Sequence, residues 1–168
     1  MELPGAKAVW AELCAAARAV RELPQPALAL GAIGESVDRL IGSRMFTFLY
    51  FDTASFEMER LVCTRPDRYP VGARKPMRHG PWRDCLIERG EVFIARNPQE
   101  MRATFGDHAA LAEFGCTSSM CLPVRHAGRT LGSMNLNGDQ GRYGALEAAI
   151  AQPFATLAVP AFLAIGAR

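Results

Sequence analysis

A run of basic side chains in the middle of the chain is the clearest sign of chemistry. Seven cations fall between residues 60 and 83, and Asp67 is the one acidic residue among them. The seven are Arg60, Arg65, Arg68, Arg74, Lys75, Arg78 and Arg83. Guanidinium and ammonium groups bind carboxylates and phosphates through charge-assisted hydrogen bonds. The run therefore indicates either a site for a small anion or partner, or a surface loop with mixed contacts.

His79 lies inside the same run, between Arg78 and Gly80. A histidine there can hydrogen-bond a ligand, carry a proton, or ligate a metal such as haem iron. A solvated or structural histidine is the other interpretation. The sequence assigns no cofactor firmly, and it leaves haem open, with His79 as the metal ligand if haem is bound.

The five cysteines form no C-x-x-C pair, and an odd number of them is typical of a reducing compartment. We therefore expect a cytoplasmic protein. Cys116 and Cys121 flank a Thr-Ser-Ser segment, and their separation matches no common zinc spacing. They are interpreted either as buried inert thiols or as redox-active thiols of an enzyme.

Composition bounds the class of protein. The chain has 168 residues, 49% of them hydrophobic, which suits one globular domain with a proper core and leaves no length for a fused output domain. A net charge of +2 does not require nucleic acid, and no recognition-helix pattern accompanies the basic run. No apolar run reaches membrane-spanning length and no leader pattern is seen, so we expect neither a signal peptide nor a membrane partner.

The elements that must position these residues follow from periodicity. Apolar spacing predicts helices over residues 7–23 and from Pro26 to Ile41, and a closing helix over 143–165 that Pro153 and Pro160 kink or split. Short helices are predicted over 82–89 and 105–114, and Asn97 is a predicted N-cap. Predicted strands are Met45–Asp52, Phe56–Cys63, Val92–Ala95, Met120–Val124 and Leu131–Leu136, with Thr64–Gly80 as a long irregular loop.

This order resembles a GAF domain over about residues 26–165, with the PAS fold as its main competitor. The carriers of the resemblance are Met45–Asp52, Tyr69–Gly72, Pro81–Trp82 with Gly90–Ile94 after it, and the Leu122-Pro123-Val124 and Leu131-Gly132 strands with Gly128 between them. The resemblance implies an α+β fold with a central antiparallel sheet. The terminal helices would share one face, and a cover of loops and short helices would enclose a ligand pocket on the other.

The predicted pocket lies between the sheet and a cover made of Thr64–Gly90 and Phe105–Cys116. Its predicted lining is Tyr50, Tyr69, Arg74, His79, Trp82, Cys116, Ser118 and Met134. Tyrosine and tryptophan would form an aromatic wall, Ser118 would supply a hydroxyl, and Arg74 would bind an anion.

Two functions stay open at this point. The first is a ligand-binding sensor or accessory module for an anionic or aromatic small molecule. The second is a small enzyme, haem-dependent through His79 or thiol-based through Cys116 and Cys121. Free methionine sulfoxide reductases are GAF-fold enzymes with cysteines around the same pocket wall, but the local motifs of this sequence do not reproduce theirs. In both cases residues 26–168 form the GAF-like domain, and residues 1–25 form an N-terminal helix. We expect a homodimer whose interface combines the apolar stripe of this helix, which a one-domain core does not require, with the nearly uncharged closing helix.

Overall fold

A six-stranded sheet forms the centre of the computed structural model, which describes residues 4–166. Residues 1–3 of the predicted N-terminal segment 1–25 and residues 167–168 of the predicted GAF-like domain 26–168 lie outside the described residues. The strands are β1 (Met45–Asp52), β2 (Glu57–Cys63), β3 (Arg74–Pro76), β4 (Phe93–Ala95), β5 (Ser118–His126) and β6 (Arg129–Gly138). Every neighbouring pair is antiparallel, in the order β3-β2-β1-β6-β5-β4.

The helices flank this sheet. They are α1 (Ala6–Glu22), α2 (Ala27–Ile41), α3 (Pro81–Arg83), α4 (Pro98–Thr104), α5 (His108–Glu113), α6 (Ala145–Leu157) and α7 (Val159–Gly166). Helix α3 continues directly into a π-helical segment, Asp84–Arg89. Asn97 caps α4 as predicted, because its side chain accepts a hydrogen bond from the Glu100 amide at 2.9 Å.

The terminal helices share one face of the sheet, as predicted. Helix α2 packs against β1 and β2, α6 and α7 pack against β5 and β6, and α1 lies across α2 and α6. Phe46 and Phe48 of β1 point into this layer and meet Ile33 of α2 and Phe162 of α7. The α+β class and the antiparallel sheet are thereby confirmed, since strand alternation fixes which side chains can reach the helices.

The predicted break in the closing helix is confirmed at Ala158, where the helix axis bends by 44° because Pro160 has no N–H to continue the helix, whereas Pro153 remains inside α6. Two other local predictions need correction. Strand β3 lies inside the segment that was predicted to be irregular, and it is too short for its alternation to be recognised. The β5–β6 turn consists of Ala127 and Gly128 alone, both with positive φ, so β5 and β6 extend beyond their predicted ends at Val124 and Leu131.

Within residues 4–166, no single helix has the length and apolar character needed to cross a membrane. Helices α6 and α7 pass that test only as a bent pair.

Candidate functional site

A cavity of about 450 Å³ lies on the face of the sheet opposite the terminal helices. Its floor is formed by side chains of β1, β2, β5 and β6. Its cover comes from two segments, residues 75–83 and residues 103–107, with Leu111 of α5 behind them. The volume falls within the range of small-molecule sites, roughly 300–1,000 Å³.

The floor combines polar and apolar side chains, and the strand register orders them into rows. Asn135 of β6 lies directly between Thr47 of β1 and Cys121 of β5. The neighbouring row places Asn137 between Met45 and Ser119. These cross-strand neighbours stand about 5 Å apart at their Cβ atoms, so each row presents a continuous set of side chains to one ligand.

Arg60 enters the cavity from β2, where it pairs with Leu49. The side chain is 8% exposed, and its guanidinium carbon lies 4.9 Å from the centre of the Tyr69 ring. Nη1 donates to the Pro70 carbonyl at 3.3 Å, whereas Nε has no hydrogen-bond partner. Arg60 makes no ion pair with any carboxylate of residues 4–166.

Arg83 enters from the other wall, at the end of α3. It is 9% exposed, and its Nη1 lies 2.6 Å from His79 Nδ1 and 3.0 Å from His79 Nε2. Its one carboxylate neighbour in the described part of the chain is the exposed Glu88, with Oε1 3.8 Å from Nη2. Its Nε also lacks a hydrogen-bond partner.

The cavity is electropositive. Four cationic side chains line it, Arg60, Lys75, Arg78 and Arg83, against the single carboxylate of Asp107. That carboxylate is already engaged, because Lys75 Nζ lies 3.7 Å from Asp107 Oδ2. A concave site with this excess of one sign attracts an anion.

Most of the unpaired buried polar atoms of the described structure belong to residues that line this cavity. Eight buried side-chain nitrogen or oxygen atoms lack a hydrogen-bond partner within the described residues, and six belong to residues that line it. The six are in Thr47, Arg60, Tyr69, Trp82, Arg83 and Asn135. Buried polar groups are ordinarily paired, so their concentration here is typical of a site that binds a polar molecule.

Three of the eight residues predicted to line the pocket do line it: Tyr69, His79 and Trp82. Burial raises the pKa of Tyr69, so its hydroxyl stays protonated and can donate a hydrogen bond. Whether any of the three binds a ligand stays a prediction.

The other five lie elsewhere, which corrects the predicted lining. Tyr50 and Met134 are on the helix face, where the Tyr50 ring lies 6.4 Å from that of Phe162 and Met134 is fully buried in the core. Arg74 also faces away from the cavity, because it pairs across β2 and β3 with Glu59. In all three cases strand alternation places the neighbouring residue, and not the predicted one, toward the cavity.

Cys116 and Ser118 lie at the end of the sheet and outside the cavity lining. Cys116 is buried in an apolar cluster with Met45, Cys63 and Tyr69. The Ser118 hydroxyl donates to the Asp139 carbonyl at 2.6 Å. Both side chains therefore support the wall and do not form it.

Sequence reasoning missed several lining residues: Thr47, Arg60, Arg83, Ser119, Cys121, Asn135 and Asn137. The alternation Ser133-Met134-Asn135-Leu136-Asn137 carried a usable signal for the asparagines. Met134 and Leu136 had to face the helices, so the polar residues between them had to face the opposite side of the sheet, where the cavity lies.

The thiols are poorly suited to nucleophilic chemistry. Burial raises the pKa of both Cys116 and Cys121 to about 11, and it raises the pKa values of Cys63 and Cys85 as well. The thiolate is the reactive form, and it is scarce at neutral pH when the pKa is this high. This arrangement does not favour the thiol-based enzyme that the sequence left open.

Alkylation should reveal the low reactivity of the buried thiols. With iodoacetamide at pH 7.5, we expect the four buried cysteines to react at least about ten times more slowly in the native protein than in the protein unfolded with urea. The buried thiols should gain reactivity as the pH rises toward 11. Peptide mass spectrometry measures each site, and fast labelling of Cys116 or Cys121 in the native protein would contradict the inference.

The surroundings of His79 do not fit haem ligation. The Arg83 guanidinium lies within 3.0 Å of both ring nitrogens, where it occupies the lone pair that iron would need and repels a metal cation. Separately from haem, whose iron needs a single axial side chain, the described part of the chain contains no group of three or more His, Cys, Asp or Glu side chains able to hold a metal ion.

The sequence and the fold were both compared with those of known proteins. A family model described as a GAF domain matches residues 25–162, most of the chain. This chain belongs to the GAF domain family. Among curated protein sequences, none matches the chain significantly.

Solved GAF structures are similar in fold. The GAF domain of a phosphoenolpyruvate-protein phosphotransferase from Coxiella burnetii has a TM-score of 0.76 at 16% identity, with 98% of this chain and 100% of that chain covered. A free methionine-R-sulfoxide reductase from Neisseria meningitidis, solved with its substrate, gives 0.71 at 17% identity, with 98% and 95% covered.

The chromophore-binding domain of a bacteriophytochrome from R. palustris gives a TM-score of 0.71 at 12% identity. The match covers 99% of this chain and 63% of that one, so this GAF domain corresponds to less than two thirds of that chain. At these identities the likeness concerns the fold alone.

Proposed function

We propose that this GAF domain binds a small organic anion in the cavity and acts as a sensor or accessory protein. The observation that carries the proposal is the pair of buried arginines, Arg60 and Arg83, lining one cavity. Arg60 has no ion-paired carboxylate within residues 4–166, and the one carboxylate near Arg83 is exposed and 3.8 Å away.

The physical argument rests on desolvation. Removing a guanidinium from water is costly unless a counter-charge and hydrogen bonds compensate for it. The protein supplies little compensation, since each guanidinium keeps an unpaired Nε–H. A bound carboxylate or phosphate would neutralise the charge and accept hydrogen bonds from the guanidinium groups that line the cavity.

The ligand should also have an apolar part. Trp82, Phe105 and Leu111 line the cavity beside the cations. The Trp82 ring is held edge-on against Phe51, with ring centres 5.6 Å apart, so it offers a fixed surface for packing. An organic acid satisfies both sets of contacts better than an inorganic ion does.

A thermal-shift screen tests the proposal. Organic acids and phosphate esters are compared with their uncharged amides or alcohols, at equal concentration and pH, on the whole protein. We expect stabilisation by some of the acids and by none of their neutral counterparts, because binding to the folded state raises its stability. A screen in which neutral compounds stabilise as well as their acids would contradict the proposal.

We further propose that the chain forms a homodimer through α1. Trp10, Cys14 and Ala17 recur at helical spacing on this helix and are all exposed, with Trp10 at 70%. The other side of α1 packs against the core through Val9, Leu13 and Val20. An exposed aromatic on an otherwise docked helix is typical of an interface.

Sedimentation velocity at micromolar concentration tests the dimer. We expect the unmodified protein to sediment as a dimer and Trp10→Lys to sediment as a monomer, because a lysine ammonium would be desolvated at the interface. Val71→Lys is a matched control, since Val71 is also exposed but lies in the loop between β2 and β3. A monomeric unmodified protein would overturn the proposal.

For the compartment, we propose the cytoplasm. All five cysteines are free, and four of them are buried thiols. Free thiols persist where the medium is reducing.

A further inference from the structure

We infer that the cavity binds a dianion, an organic molecule with one acidic group at each end of an apolar chain. The inference rests on the proposed anion-binding function and specifies the class of ligand further. It comes from the positions of Arg60 and Arg83 along β1 and β2, two strands whose side chains form part of the cavity floor.

The Arg60 guanidinium lies toward one end of this strand pair. Its carbon is 4.9 Å from the centre of the Tyr69 ring, and Nη1 donates to the adjacent Pro70 carbonyl. Tyr69 belongs to an apolar cluster with Met45, the first residue of β1, and Cys63, the last residue of β2. Arg60 therefore serves the end of the cavity where β1 begins and β2 ends.

The Arg83 guanidinium lies toward the other end. Its carbon is 5.4 Å from the centre of the Phe56 ring, in the turn that joins β1 to β2. The neighbouring Trp82 packs against Phe51, which pairs with Met58 close to that turn. The two cations thus lie at opposite ends of the same strand pair.

Strand geometry gives the scale of this separation. Phe56 and Arg60 are four residues apart, which separates their backbones by up to about 13 Å. The Arg60 side chain leads away from the turn, toward Tyr69. A single carboxylate must come within about 3 Å of each guanidinium that it binds, so it cannot serve both. A ligand that pairs with both cations therefore needs two separate acidic groups.

The surface between the two ends is apolar. Met58 lies between Arg60 and the turn along β2, and both Met58 and Leu49 line the cavity floor with 6% and 7% exposure. Trp82 and Phe105 line the cover. A chain of methylene groups would bury apolar surface against these side chains, whereas a hydroxylated spacer would lose its contacts with water.

Matched diacids and monoacids test the inference by calorimetry on the whole protein. The pairs are malonate and propionate, adipate and hexanoate, and suberate and octanoate, all at pH 7.5 and one ionic strength. For at least one of the two longer pairs, we expect the diacid to bind about 10 to 100 times more tightly than the monoacid, the value of a second charge-assisted hydrogen bond. Malonate carries its two charges too close together, so its gain over propionate should not exceed about five-fold.

Variants connect this advantage to Arg83. In Arg83→Met, the long diacid should lose its advantage over the monoacid, because only the Arg60 end remains. Arg83→Gln is tested alongside it, since glutamine removes the charge but can still donate a hydrogen bond to His79. Arg89→Met is the control, because Arg89 is exposed, pairs with Glu91 at 2.8 Å and lies outside the cavity lining. The advantage should persist in that variant.

The outcomes separate the two claims. Three results would overturn this inference and leave the anion site standing: monoacids that bind as tightly as their diacids, an equal gain for malonate, or an advantage that survives in both Arg83 variants. If no acid of either kind binds at millimolar concentration, the anion site itself is overturned, and the inference with it.

Discussion

Arg60→Met is expected to weaken binding of an organic acid by about 10- to 100-fold and to raise the stability of the ligand-free protein by about 1 kcal/mol. The loss follows from removing a charge-assisted hydrogen bond worth about 1.5–3 kcal/mol. The gain follows because methionine fills similar space without a buried charge that lacks a carboxylate partner, and that desolvation cost exceeds the hydrogen bond to Pro70. Calorimetry and urea unfolding measure the two effects.

Arg74→Met is the matched control. Its guanidinium lies on the next strand, is half exposed, and pairs with Glu59 at 2.8 Å. Exposed ion pairs contribute little, so we expect affinity within two-fold and nearly unchanged stability. The sequence had drawn attention to Arg74 as the anion-binding residue. If Arg74→Met weakened binding as much as Arg60→Met, that original assignment would be right and the present one wrong.

Gly34→Ala is expected to destabilise the protein by about 1–3 kcal/mol, although alanine is the better helix former. Gly34 lies in α2 where the helix meets the sheet, and an added Cβ would overlap the ring of Phe46. Phe46 is buried in the main core, so the ring can move only by disturbing its neighbours. Urea unfolding monitored by circular dichroism measures the loss.

Gly31→Ala provides a comparison within the same helix. Nothing lies within 4 Å of a Cβ at Gly31, so the change should stabilise by about 0.5–1 kcal/mol through helix propensity alone. The two variants should therefore differ by about 1.5–4 kcal/mol and in sign. Equal stabilisation by both would show that α2 can shift away from β1 without cost.

The contrast between Arg60 and Arg74 illustrates where sequence reasoning stopped. Both belong to the same basic run, and neither the composition nor the spacing of the run distinguishes them. Arg60 is buried because a bulge at Leu61 of β2 brings it opposite Leu49 of β1, on the cavity face. Arg74 is solvated because β3 aligns it with Glu59 on the other face. These pairings join residues that are distant along the chain.

Periodicity by itself determined the individual elements. The apolar spacing of α1 and α2 and the strand pattern of β1, β5 and β6 are local, and they locate each element along the chain. That the terminal helices share a face was implied by the resemblance to GAF domains. The GAF assignment followed from the same local features, including the β5–β6 hairpin.

The tertiary structure decided the site. Thr47, Asn135 and Cys121 come together only through the register of β1, β6 and β5, and a one-residue slip would send each to the opposite face. Arg83 reaches the same cavity from α3, which the register of the sheet does not position. The pattern of apolar residues in a segment shows which of its side chains must be buried. A binding site depends instead on which segments become neighbours, and strand pairing fixes those neighbours only when the whole sheet has formed.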